Sequence, residues 1–134
     1  MTTATSSLIM AYGLMLCIVG FAGVFAARWG LASTFNPDLD AMSSDTRATF
    51  LNQYRFLNGG GLGAGLFCVG LRRQVLAGRR ASNLLLALVG AGVAGRIIAW
   101  MVDGQPSVIF IGFLLLEALV FVAVALHLMR QNVD

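Results

Sequence analysis

Apolar positions in this chain form long unbroken runs, where a soluble helix would show stripes. Residues 8–27 carry no acid or base, and residues 107–129 carry only Glu117 and His127. Each run is long enough for the roughly 20 helical residues that cross about 30 Å of hydrocarbon. Two further segments lie between them. Residues 56–71 are uncharged, and a helix that starts outside the membrane, is capped by Asp45 and runs through Phe50, Tyr54 and Arg55 extends them into a span over about residues 55–71. Residues 82–102 carry no charge except Arg96. Polar faces recurring at helical spacing, which a soluble bundle of this size needs, do not interrupt these runs. The pattern predicts an all-α, integral membrane four-helix bundle. It is one transmembrane domain over residues 1–134, with a short external helical extension before the second span.

Composition supports lipid as the solvent. Hydrophobic residues make up 58% of the chain and charged residues 11%, with a mean hydropathy of +0.83, far from the averages of soluble domains. Arginines then set the orientation. Arg72, Arg73, Arg79 and Arg80 crowd the connection between the second and third spans without one acid, as a cytoplasmic loop does. Both termini are therefore expected inside, with Arg130. The first loop mixes Arg28 and Arg47 with Asp38, Asp40 and Asp45, which suits the external side. The pI of about 9.5 is read as orientation and contact with anionic membrane lipids, so no nucleic acid partner is expected. The first run lacks a basic leader and exceeds the length of a signal h-region, so it is expected to stay as an uncleaved helix.

Small residues recur where helices in lipid must touch. Gly59, Gly61, Gly63 and Gly65 in the second span, Gly90 with Ala94 in the third, and Gly13, Gly20 and Gly23 in the first suit close backbone approach, chiefly within the chain. Residues Gly90, Gly92 and Gly95 also spell a GxGxxG. A dinucleotide site would require that segment to be a strand-to-helix turn inside a doubly wound sheet. The apolar run after it continues far past the length of a strand, so the nucleotide reading is set aside.

Candidate chemistry lies in the charges that lipid should exclude. An arginine stays protonated, and a charge near the bilayer centre costs about 2.5–3.5 kcal/mol even on the lenient insertion scale. With the third span rising from the cytoplasm, Arg96 sits about 10 Å below the outer boundary and Glu117, on the returning span, about 15 Å below it. An arginine side chain bridges that difference. Arg55 and Asn58 near the outer end of the second span, and Asp103 just beyond the third, can face the same way. The expectation is a polar cluster of Arg55, Asn58, Arg96, Asp103 and Glu117 that either binds a ligand or fixes helix register. His127 is isolated near the inner end of its helix and is read as structural. No HExxH, CxxC or histidine cluster occurs, so neither a metal nor another cofactor is expected. Cys17 and Cys68 fall at different depths and read as packing residues. Trp29, Tyr54 and Trp100 fall near the outer interface, where aromatic rings anchor helices.

The stretch Tyr54-Arg55-Phe56-Leu57-Asn58-Gly59-Gly60-Gly61-Leu62-Gly63, then Gly95-Arg96-Ile97-Ile98 leading to Asp103-Gly104-Gln105-Pro106, then Glu117, resembles the bacterial membrane family called domain of unknown function 4345. That family is similar in architecture to DoxX-like four-helix proteins. The resemblance implies four transmembrane helices, arginines in the second and third at Arg55 and Arg96, and a bacterial inner membrane location. It carries no established activity. The functional expectation is a non-enzymatic integral membrane protein, an accessory subunit or binding scaffold with a protein partner or a second copy of itself. The alternative is a membrane-embedded enzyme or carrier that holds a lipophilic anion, such as a lipid or quinone, in the Arg/Glu pocket. Catalysis has little material, because acid–base work would fall to Glu117 and Arg96 beside it favours the ionised carboxylate.

Overall fold

A computed structural model describes residues 3–35 and 37–130. Among them are six helices and no strand: α1 (Thr3–Phe25), α2 (Ala27–Phe35), α3 (Ser44–Gly70), α4 (Arg72–Ala77), α5 (Arg79–Asp103) and α6 (Val108–Arg130). Three of them, α1, α5 and α6, are long and apolar enough to cross a membrane. Residues 55–71 fall almost entirely in the second half of α3, where six glycines and Asn58 dilute the apolar content. Many large apolar side chains on the three candidate spans point outward, among them Ile18, Phe21, Leu84, Ile98, Leu115 and Val122. Outward-facing apolar side chains along whole helices are what hydrocarbon surroundings allow and water penalises.

The chain divides into two compact units, Gly13–Val69 and the remainder, to which α1 contributes its start as far as Tyr12. In the first unit α1 and α3 meet at their backbones. A Cβ on Gly20 would lie 2.6 Å from the Leu62 nitrogen and 2.7 Å from the Asn58 carbonyl oxygen, and one on Gly65 would lie 2.7 Å from the Cys17 nitrogen. Gly13 faces the Cys68 Cβ in the same way, at 2.8 Å. Cys17 and Cys68 are both free thiols beside this contact. Of the repeated glycines of α3, only Gly65 makes such an approach. Gly60, Gly61 and Gly63 meet nothing within 4 Å, and Gly59 only the Val24 methyl at 3.9 Å. A helix turns by about 100° per residue, so alternate glycines leave the contact face at once.

The helical rod of α1 does not stop at residue 27. It kinks at Ala26 and resumes as α2, with Gly30 N–H donating to the Ala26 carbonyl at 2.9 Å. A loop then returns to α3. Asp40 in that loop accepts from Arg28 at 2.8 Å and stands 3.8 Å from Arg47, so it ties the start of α2 to the start of α3. The cap of α3 differs from expectation. Ser43 Oγ accepts from the Thr46 N–H at 3.3 Å, whereas Asp45 lies in the first turn. There its charge complements the helix dipole while the serine occupies the capping position. Residues 44–54 form the first part of α3, continuous with residues 55–70 in one helix.

The second unit is organised by α5 and α6. Ser82, Leu85 and Val89 form a buried row on α5, and Glu117, Val120 and Val124 form one on α6. Both rows step by three and then four residues, the spacing that brings neighbouring helices into side-by-side contact. Gly90 leaves room for the Phe121 ring, whose edge would stand 3.0 Å from a Cβ there. The connection ahead of α5 is itself helical. Val75 and Leu76 of α4 are buried, and two side chains hold their carbonyls. Ser82 Oγ donates to Val75, and His127 Nε2 lies 2.9 Å from the Leu76 oxygen. A carbonyl only accepts, so this bond uses the Nε2–H tautomer. His127 thus joins the end of α6 to α4.

Candidate functional site

The turn that builds the site is short. Gly104 follows Asp103 with φ +92°, a backbone state that glycine adopts without penalty. Gln105, Pro106 and Ser107 complete the reversal, and the Ser107 carbonyl accepts from the Phe110 and Ile111 N–H groups to start α6. Because α6 returns along α5, a residue two turns before Asp103 meets one about nine positions into α6. Those residues are Arg96 and Glu117.

Their contact is a two-pronged ion pair. Arg96 Nε donates to Glu117 Oε2 at 2.8 Å, and Nη2 donates to Oε1 at 3.2 Å. The Glu117 side chain is 10% exposed and that of Arg96 is 33% exposed. The carboxylate is therefore enclosed while one edge of the guanidinium stays open. The cation also lies 5.9 Å from the centre of the Phe110 ring and 5.6 Å from that of Phe113, within range of favourable cation–π attraction. Gly92 of α5 faces the Glu117 carboxylate, and a Cβ there would stand 3.5 Å from Oε2, an ordinary van der Waals distance. Planar guanidinium and carboxylate groups match in this geometry, which gives orientation as well as energy.

Beside the open edge of Arg96 is a pocket of about 280 Å³, walled by Ala99, Trp100, Pro106, Phe110 and Leu114 and carrying the polar groups of Asp103 and Gln105 at its rim. Among the described residues no hydrogen bond or ion pair engages the Asp103 carboxylate. Two of the five guanidinium N–H groups are committed to Glu117, so three remain for the pocket. A second pocket, between Arg28, Asp38 and Asp40 in the other unit, is lined by the charged loop described above.

Arg55 and Asn58 belong to the first unit and have partners of their own there. Arg55 Nε donates to the Val24 carbonyl at 3.2 Å, next to the kink at Ala26. Asn58 Nδ2 donates to the Tyr54 carbonyl at 2.8 Å, and its side chain occupies the space over Gly23. A side chain set against the hydrogen-bond ladder is a recognised cause of a helix kink. Tyr54 is engaged as well: its hydroxyl lies over Gly30, and its ring meets Phe35 edge-on at 6.4 Å. Of the five residues expected to cluster, Arg96 and Glu117 pair and Arg96 and Asp103 line the same pocket; its walls Trp100 and Phe110 were not among the candidates. The signal was available, since Trp100 lies four residues after Arg96 and Phe110 seven before Glu117, on the same helix faces.

Among the described residues no group of three or more His, Cys, Asp or Glu side chains is arranged to hold a metal ion. The segment Gly90–Gly95 lies wholly inside α5, so its GxGxxG spacing does not form the phosphate-binding turn of a nucleotide fold. No curated protein and no solved structure matches this chain. The family described as Domain of unknown function (DUF4345) matches residues 4–128. With three helices suited to a membrane and a match over nearly its whole length, the chain belongs to the DUF4345 family.

Proposed function

We propose that this protein is a non-enzymatic scaffold of the bacterial inner membrane, a four-span bundle with both termini in the cytoplasm, which binds a partner protein or a second copy of itself within the bilayer. Arg72, Arg73, Arg79 and Arg80 around α4 support the orientation, and the apolar second half of α3 supplies the fourth span. One observation carries the functional reading: the two ionisable residues deepest in the apolar helices, Arg96 and Glu117, neutralise each other in a two-pronged pair. Both carboxylate oxygens of Glu117 accept from the one guanidinium, so neither is free to exchange a proton with a ligand without breaking the pair. Nor does the pocket suit a simple anion. Arg96 is already paired with Glu117 and Asp103 shares the pocket lining, so a ligand with negative charge alone, such as a free fatty acid, leaves the Asp103 carboxylate uncompensated. Arg55 and Asn58 act in this reading as supports of the α1–α2 kink.

The test is to cross-link the native membrane, solubilise it in a mild detergent and resolve the protein on a native gel. A discrete complex larger than one chain, with fixed stoichiometry, is the expected result. A lone chain at native expression level, cross-linked or not, would overturn the scaffold reading.

A further inference from the structure

The pocket at the α5–α6 turn has an order of charge that suits one kind of lipid headgroup. Arg96 and Asp103 lie on the same face of α5, seven residues or two turns apart, so their backbones are separated by about 10.5 Å along the helix. The arginine is the deeper of the two and the aspartate ends the helix. Arg96 lines the pocket and has N–H groups not committed to Glu117, and the Asp103 side chain, also in the lining, is exposed and without a partner among the described residues. From the apolar wall outward, the site offers hydrogen-bond donors with positive charge, then an acceptor with negative charge. A ligand that satisfies both has an acyl stem, an anion next to it and an ammonium at its outer end.

We propose that this pocket binds the headgroup of a phosphoethanolamine lipid, with the phosphate on Arg96 and the ammonium on Asp103. Phosphate accepts from a guanidinium in the same forked geometry as a carboxylate does. The ammonium donates to Asp103 and to the Gln105 side-chain oxygen, and Trp100, which also lines the pocket, is an aromatic side chain of the kind that attracts a cation. Phe110 and Leu114 line the apolar side, where the acyl chains begin. A lipid lacking the ammonium leaves Asp103 facing a phosphate, and one lacking N–H groups forfeits the hydrogen bonds to Asp103 and Gln105. The inference rests on the membrane reading of the chain and extends the scaffold proposal by naming what fills its pocket.

Native mass spectrometry of the full chain in detergent tests it, with phosphatidylethanolamine, phosphatidylglycerol and phosphatidylcholine of matched acyl chains added separately. Wild type is expected to hold phosphatidylethanolamine about tenfold more tightly than the other two, the effect of one charge-assisted hydrogen-bonding partner. Asp103→Asn, at an exposed position that supports no other residue, is expected to bring that preference down to near unity while the protein remains folded. Soluble phosphoethanolamine is expected to give no adduct. Equal binding of the three lipids by wild type, an unchanged preference in Asp103→Asn, or uptake of the soluble compound with the affinity of the lipid would each overturn the proposal. None of these outcomes touches the scaffold reading, which the cross-linking result decides separately.

Discussion

Glu117 keeps a guanidinium satisfied in a helix that is otherwise apolar, so removing the carboxylate does more than delete a bond. Glu117→Ala leaves Arg96 with uncompensated charge among Phe110, Phe113 and the helix wall. The cost is set at about 1–3 kcal/mol by the unsatisfied group and is limited by the open edge through which Arg96 can reach the pocket. Thermal unfolding in detergent will show a lower midpoint for Glu117→Ala and for Arg96→Glu alone. The exchanged double variant Arg96→Glu with Glu117→Arg will recover part of the loss, and failure to recover any would dismiss the pairing as a source of stability. This pair was legible in the sequence because each member is the lone intramembrane charge of its run and their depths agree. The role of Arg55 was not legible. Its partner is the Val24 carbonyl beside a kink, and no side-chain pattern announces where a backbone oxygen is set free.

At the level of helices, α1 and α3 approach so closely that a single methyl group at the right place should separate them. Gly20→Ala would set its Cβ against the Leu62 and Asn58 backbones, which have no rotamer through which to yield. An overpacked contact of this kind costs about 1–3 kcal/mol. Gly63→Ala, with nothing within 4 Å, should leave the midpoint unchanged or raise it slightly, because alanine is the better helix former. If the two variants melt alike, the backbone contact is not what joins these helices. The sequence announced glycine-mediated packing but not which glycines take part, since choosing Gly65 over Gly61 and Gly63 requires the rotation of α3 about its axis. The rows Ser82–Leu85–Val89 and Glu117–Val120–Val124 were hidden for a related reason. In a helix apolar all round, periodicity cannot mark the protein-facing side.

For the whole molecule, the helical class and the membrane character could be read from run length alone, whereas α2 and α4 could not. The former continues α1 through a kink that contains no proline, and the latter is six residues long, held by tertiary bonds to Ser82 and His127. Sidedness has a direct check. Ala41→Cys, in the loop between α2 and α3, should react with a membrane-impermeant maleimide in intact cells, and Ala77→Cys, at the end of α4, only after permeabilisation; the reverse pattern would invert the proposed orientation. The Arg96–Glu117 pair carries one positive and one negative charge that move as a unit. A membrane potential does about 2.3 kcal/mol of work per elementary charge per 100 mV, but on such a doublet the two contributions cancel. A membrane potential therefore exerts little net force on this pair, and the contact that sets the α5–α6 register is not itself a voltage-sensing charge.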